Sequence, residues 1–381
     1  MTSFAPSTFQ VGAPSAAGSQ QPQTDENFHS ALSSSQQLPS LHLDYIHDIS
    51  YDHYGRRLAT CSGDRFIRVW DLNSQGEWTS HTEWQAHRGT VNRLSWAHPE
   101  YGQLLASCGS DQAVIIWEER EMAQQPQQQQ EAPPTTATHW VLKAQLTDAR
   151  KSVTCVQFAP RHLGLKIATG SADGFLRIYE AIDVMNLIHW PMNGSMDVLG
   201  DSTNDESAMD SLTGLLGVTA LAWCQGRFEP PTLVVGTGRG DVSVVRFSDS
   251  SRAWQTLVKL PIHHRGVLDL AWAPNVGRSY HLIASAGKDR SLRVNRLNRH
   301  LSSKSSVANS LDLESSQVLG DGMTEVWRCA WNVTGTVLAS SGDGGMVQLW
   351  KSNFRGEWKC VGEIMGDISA GGDGLNQNTD P

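Results

Sequence analysis

Short apolar runs alternate with polar turns along most of the chain, and residues 326–364 show this pattern most clearly. Four runs, at 326–331, 337–341, 346–350 and 358–364, are separated by turns that contain Gly, Asp or Asn. Runs of this length with such turn residues are typical of β-strands. The stretch therefore predicts one antiparallel four-stranded sheet. Because a lone sheet of this size buries little apolar surface, we expect related sheets elsewhere in the chain.

The same pattern recurs six times from Leu43 onward. The third run of each repeat ends on an aromatic anchor or a substitute for it: Trp70, Trp117, Tyr179, Phe247, Asn295 and Trp350. Ten residues earlier stands a small hydroxyl residue: Thr60, Ser107, Thr169, Thr237, Ser285 and Ser340. Six residues before the first five anchors stands an aspartate: Asp64, Asp111, Asp173, Asp241 and Asp289. These offsets predict an internal repeat, and four-stranded repeats of this kind form the blades of a β-propeller.

Three repeats carry a histidine four residues before their first strand, namely His42, His87 and His263. We expect each imidazole to link the strand hydroxyl to the turn aspartate of its repeat. An anchor indole N–H also needs an acceptor when buried, and the same hydroxyl can supply it. We therefore interpret these repeated polar residues as structural rather than catalytic.

Composition sets the boundaries of the domain. Residues 1–40 are rich in Ser, Gln and Pro, so we expect a disordered leader, followed by a six-bladed propeller at 41–365 and a disordered tail at 366–381. Three polar insertions, at 120–138, 193–213 and 298–314, are expected to be loops. The fourth strands of the six repeats are predicted at 78–85, 140–146, 187–191, 254–260, 317–319 and 358–364.

Since every repeat is followed by its own fourth strand, no N-terminal strand is needed to close the last blade. The ring is then either closed by packing alone or open, and an open ring exposes apolar flanks that a partner can cover by adding strands. We interpret it as open and completed by a blade from a partner. The residues predicted to bind this partner are Leu43, Tyr45, His47, Ile49, Val326, Arg328, Ala330 and Trp350.

Charge and chemistry narrow the class of protein further. The net charge of −9 over 381 residues argues against direct binding of nucleic acid. No apolar run approaches the roughly 18 residues of a membrane span, and the first 40 residues lack the features of a signal peptide. The six scattered cysteines predict buried thiols in a reducing compartment. Neither a phosphate-binding loop, a nucleophile elbow, a metal-ligand spacing nor a cofactor motif is recognisable, so we expect no enzyme.

Several stretches are similar to one particular family. They are Asp44-Tyr45-Ile46-His47-Asp48-Ile49-Ser50-Tyr51-Asp52, residues 96–103, residues 158–165 with 177–187, and residues 326–343. Together they resemble the Seh-type WD-repeat nucleoporins of the nuclear-pore Y-complex over about residues 42–365. The third-repeat stretch, which ends in Asp183-Val184-Met185-Asn186-Leu187, is the most specific.

The resemblance implies an open propeller that takes a β-blade from a helical scaffold nucleoporin and lies at the nuclear envelope beside other Y-complex subunits. It implies support of mRNA and protein transport. It also implies a second assembly, a coat-like complex at the vacuolar surface that signals amino-acid supply to TORC1. Two alternatives remain open. One is the propeller of the COPII-type coat, which usually lacks the 183–187 stretch. The other is a peptide-reading WD-repeat adaptor, which requires a charged or aromatic cage that the sequence does not reveal.

Overall fold

The computed structural model describes residues 8–12, 35–121, 138–200, 216–227, 229–300, 310–320 and 324–365. Two strands come first, β1 (Thr8–Gly12) and β2 (Ser35–Pro39), and they pair antiparallel. Six four-stranded antiparallel sheets follow, each with its strands in chain order. These sheets are the six blades, numbered here in chain order, and they confirm the predicted all-β propeller.

The first three blades contain twelve strands. Blade one consists of β3 (Ile46–Tyr51), β4 (Arg57–Ser62), β5 (Phe66–Leu72) and β6 (Trp78–Gln85). Blade two consists of β7 (Val91–Trp96), β8 (Leu104–Gly109), β9 (Val114–Glu121) and β10 (Thr138–Leu146). Blade three consists of β11 (Val153–Phe158), β12 (Lys166–Ser171), β13 (Phe175–Glu180) and β14 (Met192–Asp197). Short 3-10 turns lie at Pro99–Tyr101 and Arg161–Leu163.

The last three blades repeat this arrangement. Blade four consists of β15 (Val218–Trp223), β16 (Thr232–Thr237), β17 (Val242–Ser248) and β18 (Ala253–Leu260). Blade five consists of β19 (Val267–Trp272), β20 (Tyr280–Gly287), β21 (Leu292–His300) and β22 (Ser310–Leu319). Blade six consists of β23 (Val326–Trp331), β24 (Val337–Gly342), β25 (Met346–Ser352) and β26 (Trp358–Met365).

The core lies between blades rather than within them. Five apolar clusters join blades one and two, two and three, three and four, four and five, and five and six. A sixth, smaller cluster contains Leu38, Leu58, Trp70 and Trp78, and so joins the end of β2 to blade one. Among the residues that the structure describes, no apolar cluster joins blade six to blade one.

Two strand assignments and one anchor residue differ from the sequence prediction. The fourth strand of blade three is β14 rather than 187–191, and that of blade five is the ten-residue β22 rather than 317–319. Both strands are outermost and carry many polar residues, so an apolar pattern does not reveal them. In blade four, Val245 rather than Phe247 pairs with Leu233 at the anchor position, because the repeat is offset by two residues there.

The structure also bears on the predicted leader and loops. Within the leader, β1 and β2 are paired strands, so the expected disorder does not hold at these ten residues. The remaining parts of the leader, at 1–7 and 13–34, lie outside the described residues. So do most of the three insertions, at 122–137, 201–215 and 301–309, and the tail at 366–381.

Candidate partner-binding face

The predicted polar link is present in blade one. His42 Nδ1 lies 2.9 Å from Asp64 Oδ2, and His42 Nε2 lies 2.9 Å from Thr60 Oγ1. The indole N–H of Trp70 donates to the same hydroxyl at 3.3 Å. Burial lowers the pKa of His42 and outweighs the opposing effect of Asp64. The buried imidazole thus ties the chain before β3 to strands β4 and β5.

Blades two and five contain the same link. His87 joins Asp111 at 2.9 Å and Ser107 at 2.8 Å, and Trp117 donates to Ser107 at 2.9 Å. In blade five the corresponding distances from His263 are 3.0 Å to Asp289 and 2.8 Å to Ser285. The anchor there is Asn295, which is fully buried and whose amide atoms have no hydrogen-bond partner.

Blades three and six modify the link, because blade three lacks the histidine and blade six lacks both the histidine and the aspartate. In blade three, Asp173 instead pairs with Arg177 at 2.7 Å, while the Tyr179 hydroxyl donates to Asp148 at 2.9 Å. Thr169 is buried and donates to the Arg177 carbonyl. In blade six, Trp350 donates to Ser340 at 2.9 Å. These contacts lie inside single blades and stabilise turns, as expected for structural residues.

One repeated position distinguishes blade one from the other five. The residue two places before the aromatic end of each innermost strand packs against the preceding blade. It is between 5% and 8% exposed in blades two to six: Leu94, Val156, Leu221, Leu270 and Cys329. In blade one the same position is Ile49, which is 40% exposed. Blade one therefore lacks a neighbour on the side where the other blades have one.

Blade six is underpacked on its opposite side. In blades one to five, the residues one and three places before the structural anchor are almost fully buried against the next blade. In blade six these residues are Val347 and Leu349, and both are only partly buried. On the side of blade one, Leu43 and Tyr45 are 89% and 76% exposed. Two incompletely covered apolar surfaces therefore flank the space between blades six and one.

Four charged residues occupy the inner end of this space. Arg328 of blade six lies 3.2 Å from Asp48 of blade one, and it also donates to the His47 carbonyl. Arg93 of blade two lies 3.1 Å from Asp269 of blade five and 3.9 Å from Asp48. Against the effect of burial, the two aspartates raise the pKa of Arg93. A cavity of about 630 Å³ opens beside this charge cluster and is lined by residues 45–49 and 328–330.

The predicted partner-binding residues separate into two groups. Leu43, Tyr45, His47, Ile49, Arg328 and Ala330 lie at this space and are exposed or partly exposed. Val326 and Trp350 do not, because both are buried in the cluster between blades five and six. The sequence analysis assigned Val326 and Trp350 to the same face as the other six residues. In the structure, Val326, at the start of β23, and Trp350, the anchor in β25, point toward blade five. Sequence reasoning also missed Val347 and Leu349.

A second depression, of about 720 Å³, lies where the innermost strands of blades one to four end. Its lining includes the rings of Tyr51, Trp96 and Phe158. Five basic or imidazole side chains also line it: His53, His98, Arg161, His162 and Arg227. A charged and aromatic rim is therefore present, although it was not recognised in the sequence.

No group of three or more His, Cys, Asp or Glu side chains in the described ranges is arranged to hold a metal ion. Nor does any described helix have the length and apolarity needed to cross a membrane.

Six four-stranded blades, three of which contain the link of His, hydroxyl and Asp, define a WD-repeat β-propeller. The family model described as "WD domain, G-beta repeat" matches residues 35–71, 78–118, 140–180 and 315–351. The chain is 39% identical to Nucleoporin SEH1 of Xenopus tropicalis and 38% identical to Nucleoporin SEH1 of Homo sapiens, covering 86% of this chain and 87% of each relative. It belongs to the SEH1 nucleoporin family. Members of this family are structural propellers, so the chain is not an enzyme.

A solved structure shows the same fold at much lower sequence identity. A chain of the Crystal Structure of Mitotic Checkpoint Complex is 17% identical to this chain, with a TM-score of 0.56. The match covers 84% of this chain and 78% of that chain.

Proposed function

We propose that the chain is a scaffold subunit of the nuclear-pore Y-complex and accepts a β-blade from a helical scaffold nucleoporin between blades six and one. The exposure of Ile49, whose five counterparts are buried, carries this proposal. An apolar side chain at an innermost strand loses its favourable transfer free energy while it faces water. A partner blade inserted beside β3 and blade six restores that burial.

The chemistry of the face matches strand addition. Leu43, Tyr45 and Ile49 offer apolar and aromatic surface on one flank, and Val347 and Leu349 offer aliphatic surface on the other. An inserted blade covers both flanks at once, so its interface exceeds the roughly 1,600 Å² of a standard complex. We therefore propose a long-lived complex rather than a transient contact. The name of the relatives, Nucleoporin SEH1, supports assignment to the pore.

The test is capture of the Y-complex scaffold subunit by the full chain after co-expression in the same cells. Tyr45→Asp is expected to weaken capture at least about tenfold, since it places a charge at the centre of an apolar interface. Phe354→Asp is the matched control, because Phe354 is 93% exposed in the turn between β25 and β26. Unchanged capture by Tyr45→Asp, or an equal loss with Phe354→Asp, contradicts the proposed face.

The uncovered flanks also predict how the chain behaves without its partner. Exposed apolar surface at two blade flanks promotes self-association. Expressed alone, the chain should elute as soluble aggregates in size-exclusion chromatography, and co-expression with the scaffold subunit should restore a single peak. A stable, monodisperse monomer with no affinity for that subunit would count against the proposal.

We extend the proposal to the coat-like complex at the vacuolar surface, where the same face would accept a blade from a different scaffold. Support of mRNA and protein transport and of amino-acid signalling to TORC1 then follows from membership in the two assemblies. Copurification of the tagged chain from nuclear-envelope and vacuolar fractions tests this extension. Recovery of scaffold subunits from one fraction alone restricts the function to that assembly.

A peptide-reading adaptor remains the second candidate function. The observation that favours it is the basic and aromatic depression at the ends of the innermost strands of blades one to four. Arg161 and Arg227 are exposed at its edge, and the ring of Tyr51 is 43% exposed. Arg161→Glu with Arg227→Glu reverses the charge of this rim and leaves the Tyr45 face intact. Loss of the main partner in this double variant, with retention in Tyr45→Asp, would favour the adaptor.

A further inference from the structure

The end of the leader is buried, although its composition is polar. Leu38 is 1% exposed and Ser40 is fully buried. Leu38 packs with Leu58, Trp70 and Trp78 of blade one. An aliphatic side chain buried against two indoles is a specific contact rather than an incidental one.

Leu58, Trp70 and Trp78 lie on the face of blade one that points away from blade two. Their counterparts in blade two show which direction this is. Leu105 pairs with the anchor Trp117 as Leu58 pairs with Trp70. Trp140 pairs with the residue two places after Trp117, as Trp78 pairs with the residue two places after Trp70. Leu105, Trp117 and Trp140 all pack against blade one, the preceding blade. Leu38 therefore lies where a blade preceding blade one would lie, beside the space that faces blade six.

Elsewhere in the ring, this place is taken by the fourth strand of the preceding blade. Trp84, near the end of β6, stacks on Trp140 with ring centroids 5.3 Å apart and meets Trp117 edge-on at 5.5 Å. Leu38, near the end of β2, packs on the corresponding pair, Trp78 and Trp70. A histidine also follows at a similar distance in both cases. His87 comes three residues after Trp84, and His42 comes four residues after Leu38.

The family match gives β2 the same assignment independently of these contacts. Its four segments begin at residues 35, 78, 140 and 315. The last three starting points lie in the fourth strands β6, β10 and β22, and the first is the start of β2. The antiparallel pairing of β1 with β2, from Thr8 opposite Pro39 to Gly12 opposite Ser35, is also the pairing found between neighbouring strands of a blade.

We propose that Ser35–Pro39 is the outer strand of a seventh, composite blade, whose inner strands come from the partner. This inference rests on the proposed function and specifies how the partner binds. The leader stays in place when the partner arrives, and the inserted strands lie between it and the ring axis. The chain thus contributes a strand to the blade that completes it, and Leu38 remains covered in the complex.

Thiol labelling at position 38 tests the inference in the full chain. Cys360 is the one exposed cysteine among the six, so Leu38→Cys is made together with Cys360→Ser. Leu41→Cys in the same background is the matched control, because Leu41 lies three residues away and is 46% exposed. Maleimide labelling is followed by mass spectrometry, first for the free chain and then for the complex with the co-expressed Y-complex scaffold subunit. Unfolding would label the five buried cysteines as well, which separates a loose leader from a loose fold.

The inference predicts that Cys at position 38 labels more than about tenfold more slowly than Cys at position 41, both free and in the complex. Equal labelling in the free chain overturns the seating of β2. Protection in the free chain that is lost in the complex overturns the composite blade, since the partner then displaces the leader. Failure of the wild-type chain to bind the scaffold subunit refutes the proposed function, and the composite blade with it, while the free-chain result still decides whether β2 is seated.

Discussion

Removing the Asp269 carboxylate should strongly destabilise the folded ring. Asp269 accepts the backbone N–H of Cys329 in blade six at 3.0 Å and pairs with Arg93 of blade two at 3.1 Å. Its side chain is 12% exposed, and that of Arg93 is 18% exposed. One carboxylate therefore holds together three blades that are not all neighbours.

The magnitude follows from what Asp269→Ala leaves behind. An orphaned, buried N–H at Cys329 costs about 1–3 kcal/mol. Loss of one partner of a fully buried ion pair costs about 3–5 kcal/mol, and the partial exposure of Arg93 places this case at the lower end or below it. Because the two losses share one group and are not additive, we expect about 3–4 kcal/mol in all. Asp269→Asn keeps an acceptor for the N–H and should cost about 1–2 kcal/mol.

Equilibrium unfolding in urea, followed by circular dichroism, measures both variants. Asp249→Ala is the control, because Asp249 is an exposed turn residue and its removal should change stability by less than about 0.5 kcal/mol. A loss below about 1 kcal/mol for Asp269→Ala would refute the reasoning. So would equal losses for the Ala and Asn variants, because the two differ in whether the Cys329 N–H keeps an acceptor.

Three further outcomes follow from buried polar groups and thiols. Asn295→Leu should raise the free energy of unfolding by about 1–2 kcal/mol, measured in urea, since it removes a buried amide without a partner; a loss of stability would contradict this. Burial holds the pKa values of His42 and His263 below 6.5, so the unfolded chain binds more protons below that pH, and thermal scans should show stability falling from pH 7 to 5. Stability that is constant or rises toward pH 5 would refute it. At pH 8 maleimide should label Cys360 alone in the native chain, because burial raises the pKa of the Cys224 thiol to about 12; labelling of a second native thiol would refute this.

The sequence predicted the features that depend on short stretches of chain. Strand alternation and turn residues are local features of the sequence. The six repeats and the His, hydroxyl and Asp links of blades one, two and five could therefore be inferred from the sequence alone. Features that depend on a partner strand were not. The two-residue offset in blade four is invisible locally, because Thr237, Asp241 and Phe247 reproduce the expected spacing while the ladder pairs Val245 with Leu233.

The candidate face was predicted in part, for a related reason. The run 43–49 was predicted to be one strand at the surface, but only residues 46–49 lie in β3, and residues 43–45 precede it. Trp350 was misplaced because alternation shows that its side chain leaves the sheet but not which neighbouring blade it meets. The role of β2 was missed because Ser35–Pro39 has a polar composition, and the contact of Leu38 with Trp70 and Trp78 joins distant residues. Composition alone cannot reveal such a contact.

The boundary between blades six and one contains a charged contact at its inner end as well as uncovered apolar flanks. Asp48 and Asp269 occupy the same repeat position, and each accepts an N–H from the next blade, at Leu94 and Cys329. In blade six this position is Arg328, which has no acceptor to offer to the N–H of Ile49 and pairs with Asp48 instead. The ion pair between Arg328 and Asp48 joins the inner ends of blades six and one. It leaves the apolar flanks further out uncovered, and that is the surface an inserted blade requires.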